Sequence, residues 1–412
     1  MSFWKNKLVW ATGGRGCFVN CGGNWERRWM VINQSHNPPF QVLMERLTGV
    51  CGCCTLLTGT PYPTSCLLMK PVVGPIYRRA SLRSRAVSWL CFAMFALARL
   101  FCCHPPRVLF VTTNPPFLPH LCWLAGRLRR VRYVLLFWDI YPDHAVRQGW
   151  LSESGVIART WRYANRRAIC GASAVITIGE GMASTLQQQA GDIRIDVIPN
   201  WADTEVIRPI PKDCNPFAAE HGQIGKLTVL YSGNIGKTHG VETLVEAAAA
   251  LRDLANTWVL VIGDGLGLDD ARRRATELNV SNLSFLPLQP WDRVPLSLAT
   301  GDIAVVLQVS GTEHLSVPSK TYSLMAAGCA IVACTASGSD LATLVTRYNI
   351  GLVVPPQDAV ALAGALRRLV LDPGLLAAMR EHARTTAVES YSLPVVQSSF
   401  ESVFKRCLEM EP

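Results

Sequence analysis

The sequence predicts an α/β protein of two doubly wound, parallel-sheet domains. Three observations carry that expectation. At 412 residues the chain is too long for one typical domain and suits two of roughly 180 to 200 residues. Short runs rich in strand-forming residues alternate with stretches of helical period, as parallel strands joined by crossover helices require. One such run also ends in a tight glycine turn that opens directly into a helix, the junction where open parallel sheets bind ligands.

Strands are expected in the first half at 30–33, 55–58, 108–112, 134–138, 174–178 and 196–198. In the second half they are expected at 227–232, 258–262, 283–286, 303–307, 330–333 and 351–354. Pro209, Pro211 and Pro216 crowd between Pro199 and Lys226 and mark the linker. The expected division is therefore 30–205 and 206–390, with 391–412 as a closing helix. Residues 1–29 hold five glycines and no convincing periodicity, and lack the apolar core of a cleavable signal. They are an extension to which no role is assigned.

The glycine turn is Tyr231-Ser232-Gly233-Asn234-Ile235-Gly236-Lys237-Thr238-His239-Gly240, between the strand-like 227–230 and the helical 241–252. It gathers unpaired N–H groups, a helix dipole and a cation at one point, as a bound diphosphate requires. It approaches the Walker A pattern, but Tyr231 stands where the first glycine is needed and too few residues remain to wrap a phosphate. A nucleoside-triphosphatase is excluded. An ordinary turn, its glycines serving only tight geometry, explains the string equally well by itself.

A second site breaks the tie. Pro318 and Ser319 suit a helix start and Gly328 a left-handed helix end, which puts Lys320 in a first turn, where the dipole disfavours cations. An anion between lysine and helix accounts for that placement; a solvated lysine is the plainer alternative.

With these strings the chain resembles the retaining glycosyltransferases of family 4, particularly the bacterial branch that builds O-antigen, capsule and colanic-acid-like exopolysaccharides on a lipid carrier. The resemblance runs from about residue 30 to about 403. It is carried by Met30-Val31-Ile32-Asn33-Gln34, Leu56-Leu57-Thr58-Gly59-Thr60-Pro61, Trp138-Asp139-Ile140-Tyr141-Pro142, Ile198-Pro199-Asn200-Trp201, Tyr231-Ser232-Gly233-Asn234-Ile235-Gly236, Phe285-Leu286-Pro287-Leu288-Gln289 and Pro318-Ser319-Lys320.

The resemblance implies the GT-B fold, two Rossmann-like domains facing across a cleft. It implies a nucleotide-sugar donor, uridine-linked by expectation, held mainly by the second half. Ser232, Gly233, Asn234, Gly236, Lys237, His239, Ser319 and Lys320 would meet the diphosphate, and Gly263, Gly265 and Leu288 would border the base and ribose. Asp139 matches the cleft-facing residue of the family's acidic motif, and with Lys320 is the expected catalytic pair. The acceptor, a glycan on a polyprenyl diphosphate, would approach from the first half. Retention would follow attack on the donor's own face, without an obligatory protein nucleophile. No Asp-x-Asp pair sits at a strand end with apolar flanks, so neither cofactor nor obligatory metal is expected.

Charge and cysteines add a location. Residues 1–150 hold 18 Lys or Arg against 4 Asp or Glu, a net of +14; the remaining 22 and 26 give −4. Nucleic acid is the weaker partner, because no recognition motif or aromatic-interleaved basic stripe is present. Arg78, Arg79, Arg83 and Arg85 instead precede the apolar 86–98, with Arg99 beyond. That reads as a membrane-surface helix, since ~13 apolar residues fall short of the ~20 that span a bilayer. A helix buried against the sheet is the alternative. Fifteen cysteines, an odd number without zinc spacing, indicate a reducing compartment. The expected place is the cytoplasmic side, peripheral on the inner membrane.

Several residues depart from the family pattern. The usual glutamates eight apart would fall at Leu315 and Ser323, with Glu313 out of register. Asn234 stands where arginine is common, and 37–40 runs almost directly into a helix, shortening the first glycine loop. These departures keep open a non-catalytic nucleotide-sugar-binding scaffold of a polysaccharide-assembly complex; the other alternative, a sugar-nucleotide epimerase on the same fold, would need paired carboxylates near the donor. Among the histidines, including His144 and His314, only His239 draws a role. The transferred sugar is set by a few pocket contacts that no motif records.

Overall fold

The computed structural model describes residues 29–34, 38–51, 54–58, 68–71, 82–102, 104–236, 240–308 and 310–409. The extension up to residue 28, Arg78, Arg79, Lys237 and His239 lie outside the described residues. Seven parallel strands form the first sheet: β1 (Trp29–Ile32), β2 (Cys54–Thr58), β3 (Leu68–Pro71), β4 (Val108–Thr112), β5 (Arg132–Phe137), β6 (Ala174–Thr177) and β7 (Asp196–Val197), in the order β3-β2-β1-β4-β5-β6-β7. Six form the second: β8 (Leu227–Asn234), β9 (Thr257–Asp264), β10 (Leu283–Leu286), β11 (Ile303–Leu307), β12 (Ala330–Cys334) and β13 (Gly351–Val354), in the order β10-β9-β8-β11-β12-β13. This is the GT-B class that the sequence predicts. Every expected strand is present to within two residues at each end, and β3 is an addition.

The central strands are continuous apolar runs because helices cover both faces of a parallel sheet. In β4, β11 and β12 every residue is buried. Strand order reverses between β1 and β4 and again between β8 and β11, so each sheet opens a crevice at the carboxyl ends of its strands. The two crevices face each other.

The chain crosses between the sheets twice, and the crossings are tied together. The Ala202 N–H donates to the Tyr391 carbonyl at 3.0 Å, and the Leu393 N–H donates to the Ala202 carbonyl at 3.2 Å. Beyond that tie the Leu393–Glu409 helix returns to the first sheet, where the Phe404 ring lies 4.5 Å from that of Trp29 and 5.1 Å from that of Phe110. On the second sheet, Asp302 anchors the linker and the Pro373–Ser390 helix together by accepting from Arg380 and from the Thr228 N–H, each at 2.8 Å, and by pairing with Lys212.

The arginine-flanked apolar segment forms the Leu82–Cys102 helix, which packs one side against the sheet as the buried-helix alternative expects. Phe92, Ala96 and Leu100 are buried in the core, whereas Val87, Leu90, Met94 and Phe95 are exposed. Among the described residues no helix is long and apolar enough to cross a membrane.

Candidate active site in the interdomain cleft

β8 and β9 run past the body of the sheet in register, pairing Gly233 with Gly263 and Asn234 with Asp264. Gly233 has φ of 138°, a conformation that side chains other than glycine's rarely adopt. A methyl group at Gly263 would overlap the Gly233 carbonyl oxygen, and one at Gly265 would overlap that of Ile235. Gly263 and Gly265 therefore back the turn and let the strands approach, and they do not line the cleft cavities. Of the three residues expected at the base and ribose, Leu288 alone faces the larger cavity. Gly236 likewise backs onto Gly267.

Across the crevice the Lys320–Ala326 helix brings in the lysine. Its ammonium nitrogen is enclosed, has no hydrogen-bond partner among the described residues, and lies 3.8 Å from the centroid of the Tyr231 ring. Part of the stem reaches solvent, but enclosure of the nitrogen pushes the pKa down to about 7. Tyr231 is fully buried, and its hydroxyl donates to the Asn234 carbonyl at 2.7 Å. The residue that breaks the Walker A pattern thus braces the turn with its hydroxyl and floors the lysine with its ring. No side chain at Gly233 intervenes; a Cβ there would stand 3.5 Å from the amine.

Two cavities meet at this point, of about 640 Å³ and about 360 Å³. Asp139, Gly233, Val317, Ser319 and Lys320 line both. Trp138 and Trp201 from the first domain and Leu288 and Trp291 from the second give the larger one aromatic and apolar walls, with Ser232 beside Gly233. His144, Gln148, Asn234 and Gln308 make the smaller one polar. Among the expected site residues, the fold therefore assembles Asp139, Ser232, Gly233, Asn234, Leu288, Ser319 and Lys320.

Asp139 follows β5, where the Trp138 and Asp139 N–H groups both donate to the Thr113 hydroxyl, at 3.1 and 3.4 Å. Its backbone bridges to Ser316 of the other domain, and the Ile140 N–H donates to the Leu315 carbonyl at 3.0 Å. The carboxylate is 44% exposed and 3.8 Å from Nδ1 of His144. His144 stacks on Tyr141 and meets the Gln148 amide at 2.7 Å. The sequence reading passes over His144; the clue was its place five residues after Asp139, across the Tyr141-Pro142 turn. Of the two positions of the missing glutamates, Ser323 lines the larger cavity, whereas Leu315 is buried and lines neither. Among the described residues no three His, Cys, Asp or Glu side chains cluster as metal ligands.

Two family matches divide the chain as the sheets do: "Glycosyl transferase 4-like domain" over residues 56–201 and "Glycosyl transferases group 1" over residues 218–386. The chain belongs to this glycosyltransferase family. The probable glycosyltransferase WbjE of Pseudomonas aeruginosa is 29% identical over 61% of the chain. The matched part spans 63% of that relative, a little under two thirds of its length. The putative colanic acid biosynthesis glycosyl transferase WcaI of Escherichia coli is 28% identical over 68% of the chain and 70% of the relative. Among solved structures, sucrose-phosphate synthase from Thermosynechococcus elongatus superposes with a TM-score of 0.71 at 16% identity, over 92% of this chain and 98% of that one. Anabaena HepE in complex with UDP and glucose gives 0.70 at 16% identity, over 92% and 99%. At such identities these two structures speak for the fold.

Proposed function

We propose that this glycosyltransferase moves a sugar from a nucleotide-diphosphate donor to a glycan on a polyprenyl diphosphate, with retention of configuration, in cell-surface polysaccharide synthesis. The observation that carries the reading is the enclosed Lys320 amine, unpaired among the described residues, at the common wall of both cavities and beside the bare Cα of Gly233. A buried amine without a partner is destabilising unless a charge completes it. A donor diphosphate is such a charge.

In this reading the diphosphate lies against Lys320 and the 232–236 turn, with the base toward Leu288 and the sugar toward the polar cavity. Charge grows on the diphosphate as its bond to the sugar breaks, so an ammonium and backbone N–H groups fixed in a water-poor site stabilise the transition state more than the ground state. That stabilisation is assigned to the protein, without an obligatory metal. Asp139 orients or deprotonates the acceptor hydroxyl. The names of WcaI, a colanic acid enzyme, and of HepE, crystallised with UDP-glucose, support the pathway class and the uridine donor. The same reading places the chain at the cytoplasmic face of the inner membrane, where a carrier lipid presents its acceptor.

Incubation with a panel of nucleotide sugars and a crude lipid-carrier extract tests it. Label passing into the lipid fraction from one donor, with the donor's anomeric configuration kept in the product, is the expected result. Isomerised donor without transfer would identify an epimerase. Binding without turnover would identify a scaffold, which the absent glutamates favour.

A further inference from the structure

The segment that follows Asp139 is held more firmly than a surface turn needs. Asp143 opens the short Asp143–Arg147 helix with both carboxylate oxygens taken, one by the Arg162 guanidinium and the other by the Gln189 amide, each at 2.7 Å. The Tyr141 carbonyl accepts from the Asn165 amide, and Asn165 in turn meets His120 at 2.8 Å. The Tyr141 ring stacks on Trp161, with centroids 6.1 Å apart, and on His144, with centroids 5.6 Å apart. Side chains of the Val156–Cys170 and Glu180–Ala190 helices thereby fix the place of one imidazole.

That ring has one nitrogen satisfied and one not. The Gln148 amide nitrogen lies 2.7 Å from Nε2, and an amide nitrogen only donates, so Nε2 accepts and the neutral ring carries its proton on Nδ1. Nδ1 is buried and has no hydrogen-bond partner among the described residues, and a buried N–H without an acceptor is destabilising. The group it faces is the Asp139 carboxylate at 3.8 Å, just beyond hydrogen-bond length. A small turn of that half-exposed side chain closes the gap.

We propose that His144 is the positioning residue of Asp139. With donor and acceptor in the cleft, its Nδ1–H donates to one carboxylate oxygen and leaves the other aimed at the acceptor hydroxyl. An acid or base in a site needs an orienting partner as well as proximity, because a carboxylate free to turn spends little time in the productive geometry. Both residues line the smaller cavity, which Lys320 borders from the other domain, so cation and oriented carboxylate address the same space. The inference rests on the transferase reading in that Asp139 acts on an acceptor hydroxyl.

The test combines turnover and spectroscopy on the full chain. His144→Phe keeps a flat ring on Tyr141 but has no N–H. With the nucleotide sugar and carrier-lipid extract that serve wild type, it should lower kcat on the order of 10- to 100-fold, the loss of one charge-assisted hydrogen bond, at unchanged donor KM. His144→Asn, whose amide N–H reaches the place of Nδ1, should keep most turnover, whereas His144→Gln, which reaches the place of Nε2, should behave like the Phe variant. In an Asp139→Asn background, His144→Phe should cost almost nothing further. Additive losses, equal losses in the Asn and Gln variants, or a raised donor KM at unchanged kcat overturn the proposal; the last would make His144 a sugar contact. Nitrogen NMR of histidine-labelled protein reads the pair without turnover, the His144 signals being those lost in His144→Phe. Nδ1 should carry the proton, and Asp139→Asn should shift its signal. A proton on Nε2 overturns the proposal even where transfer proceeds. The expected spectrum from a chain that transfers no sugar keeps the pair and removes the transferase reading.

Discussion

The ammonium nitrogen of Lys320 stands 3.8 Å above the Tyr231 ring, a cation–π contact between the two halves of one crevice. The ring face offers partial compensation to a charge that nothing else among the described residues pairs. Lys320→Met should therefore separate stability from function. Transfer should fall on the order of 100-fold or more, the loss of one strong electrostatic contact. The variant without ligand should nevertheless be more stable than wild type.

The sign of that gain fixes its pH dependence. Between about 7 and the ordinary 10.5 the unfolded chain holds a proton on Lys320 that the folded chain lacks, so the residue's contribution to stability rises with pH across that window. The Met variant's advantage should be full below about pH 7 and vanish above about 10.5. Melting curves at pH 6.5 and at a pH near 10 decide it; an advantage independent of pH removes Lys320 as its source.

Donor binding should carry a proton with it. A diphosphate beside Lys320 favours the ammonium form and returns the pKa toward its ordinary value, so UDP binding near pH 8.5 should take up close to one proton. Calorimetry in two buffers of different ionisation enthalpy measures it. Affinity should also weaken as pH rises from 7 to 9. Proton uptake that persists in Lys320→Met would place the titrating group elsewhere.

Asp139→Asn should fold normally and lose most transfer, because the contacts tying this segment to Thr113, Leu315 and Ser316 are made by the backbone and survive the change. Transfer that persists while the melting temperature drops would make Asp139 a turn residue instead.

Gly263→Ala should lower stability and UDP affinity together. The added methyl collides with the Gly233 carbonyl, and moving it costs about 1–3 kcal/mol while displacing the turn that meets the diphosphate. Lost UDP binding at unchanged stability would return Gly263 to the base site.

What the sequence made legible was what depends on local pattern. β4, β11 and β12 read as strands because burial on both faces leaves an unbroken apolar run. β3 escaped because an edge strand of four residues, half of them Lys70 and Pro71, has the composition that guards edges and little that marks a strand. Asp139 and Lys320 were legible from their strings. Their convergence was not, since Asp139 meets Ser316 through a backbone bridge that no side-chain pattern encodes. Which side of the apolar segment turns inward was not legible from its unbroken run. Phe92 and Phe95 both belong to that run, but a three-residue step falls 60° short of a full turn. Phe92 is consequently in the core at 1% exposure, whereas Phe95 is outside at 51%.

The Leu393–Glu409 helix couples the order of synthesis to the order of folding. Trp29 and Phe110 emerge early from a ribosome, yet the side chain that closes over both, Phe404, is made near the end. The second sheet, by contrast, has all its strands by residue 354. The half that begins first is thus completed last, and during translation the back of its sheet waits as an open apolar surface. A chain stopped after residue 390 should keep a cooperative second half and carry a first half that chaperones retain.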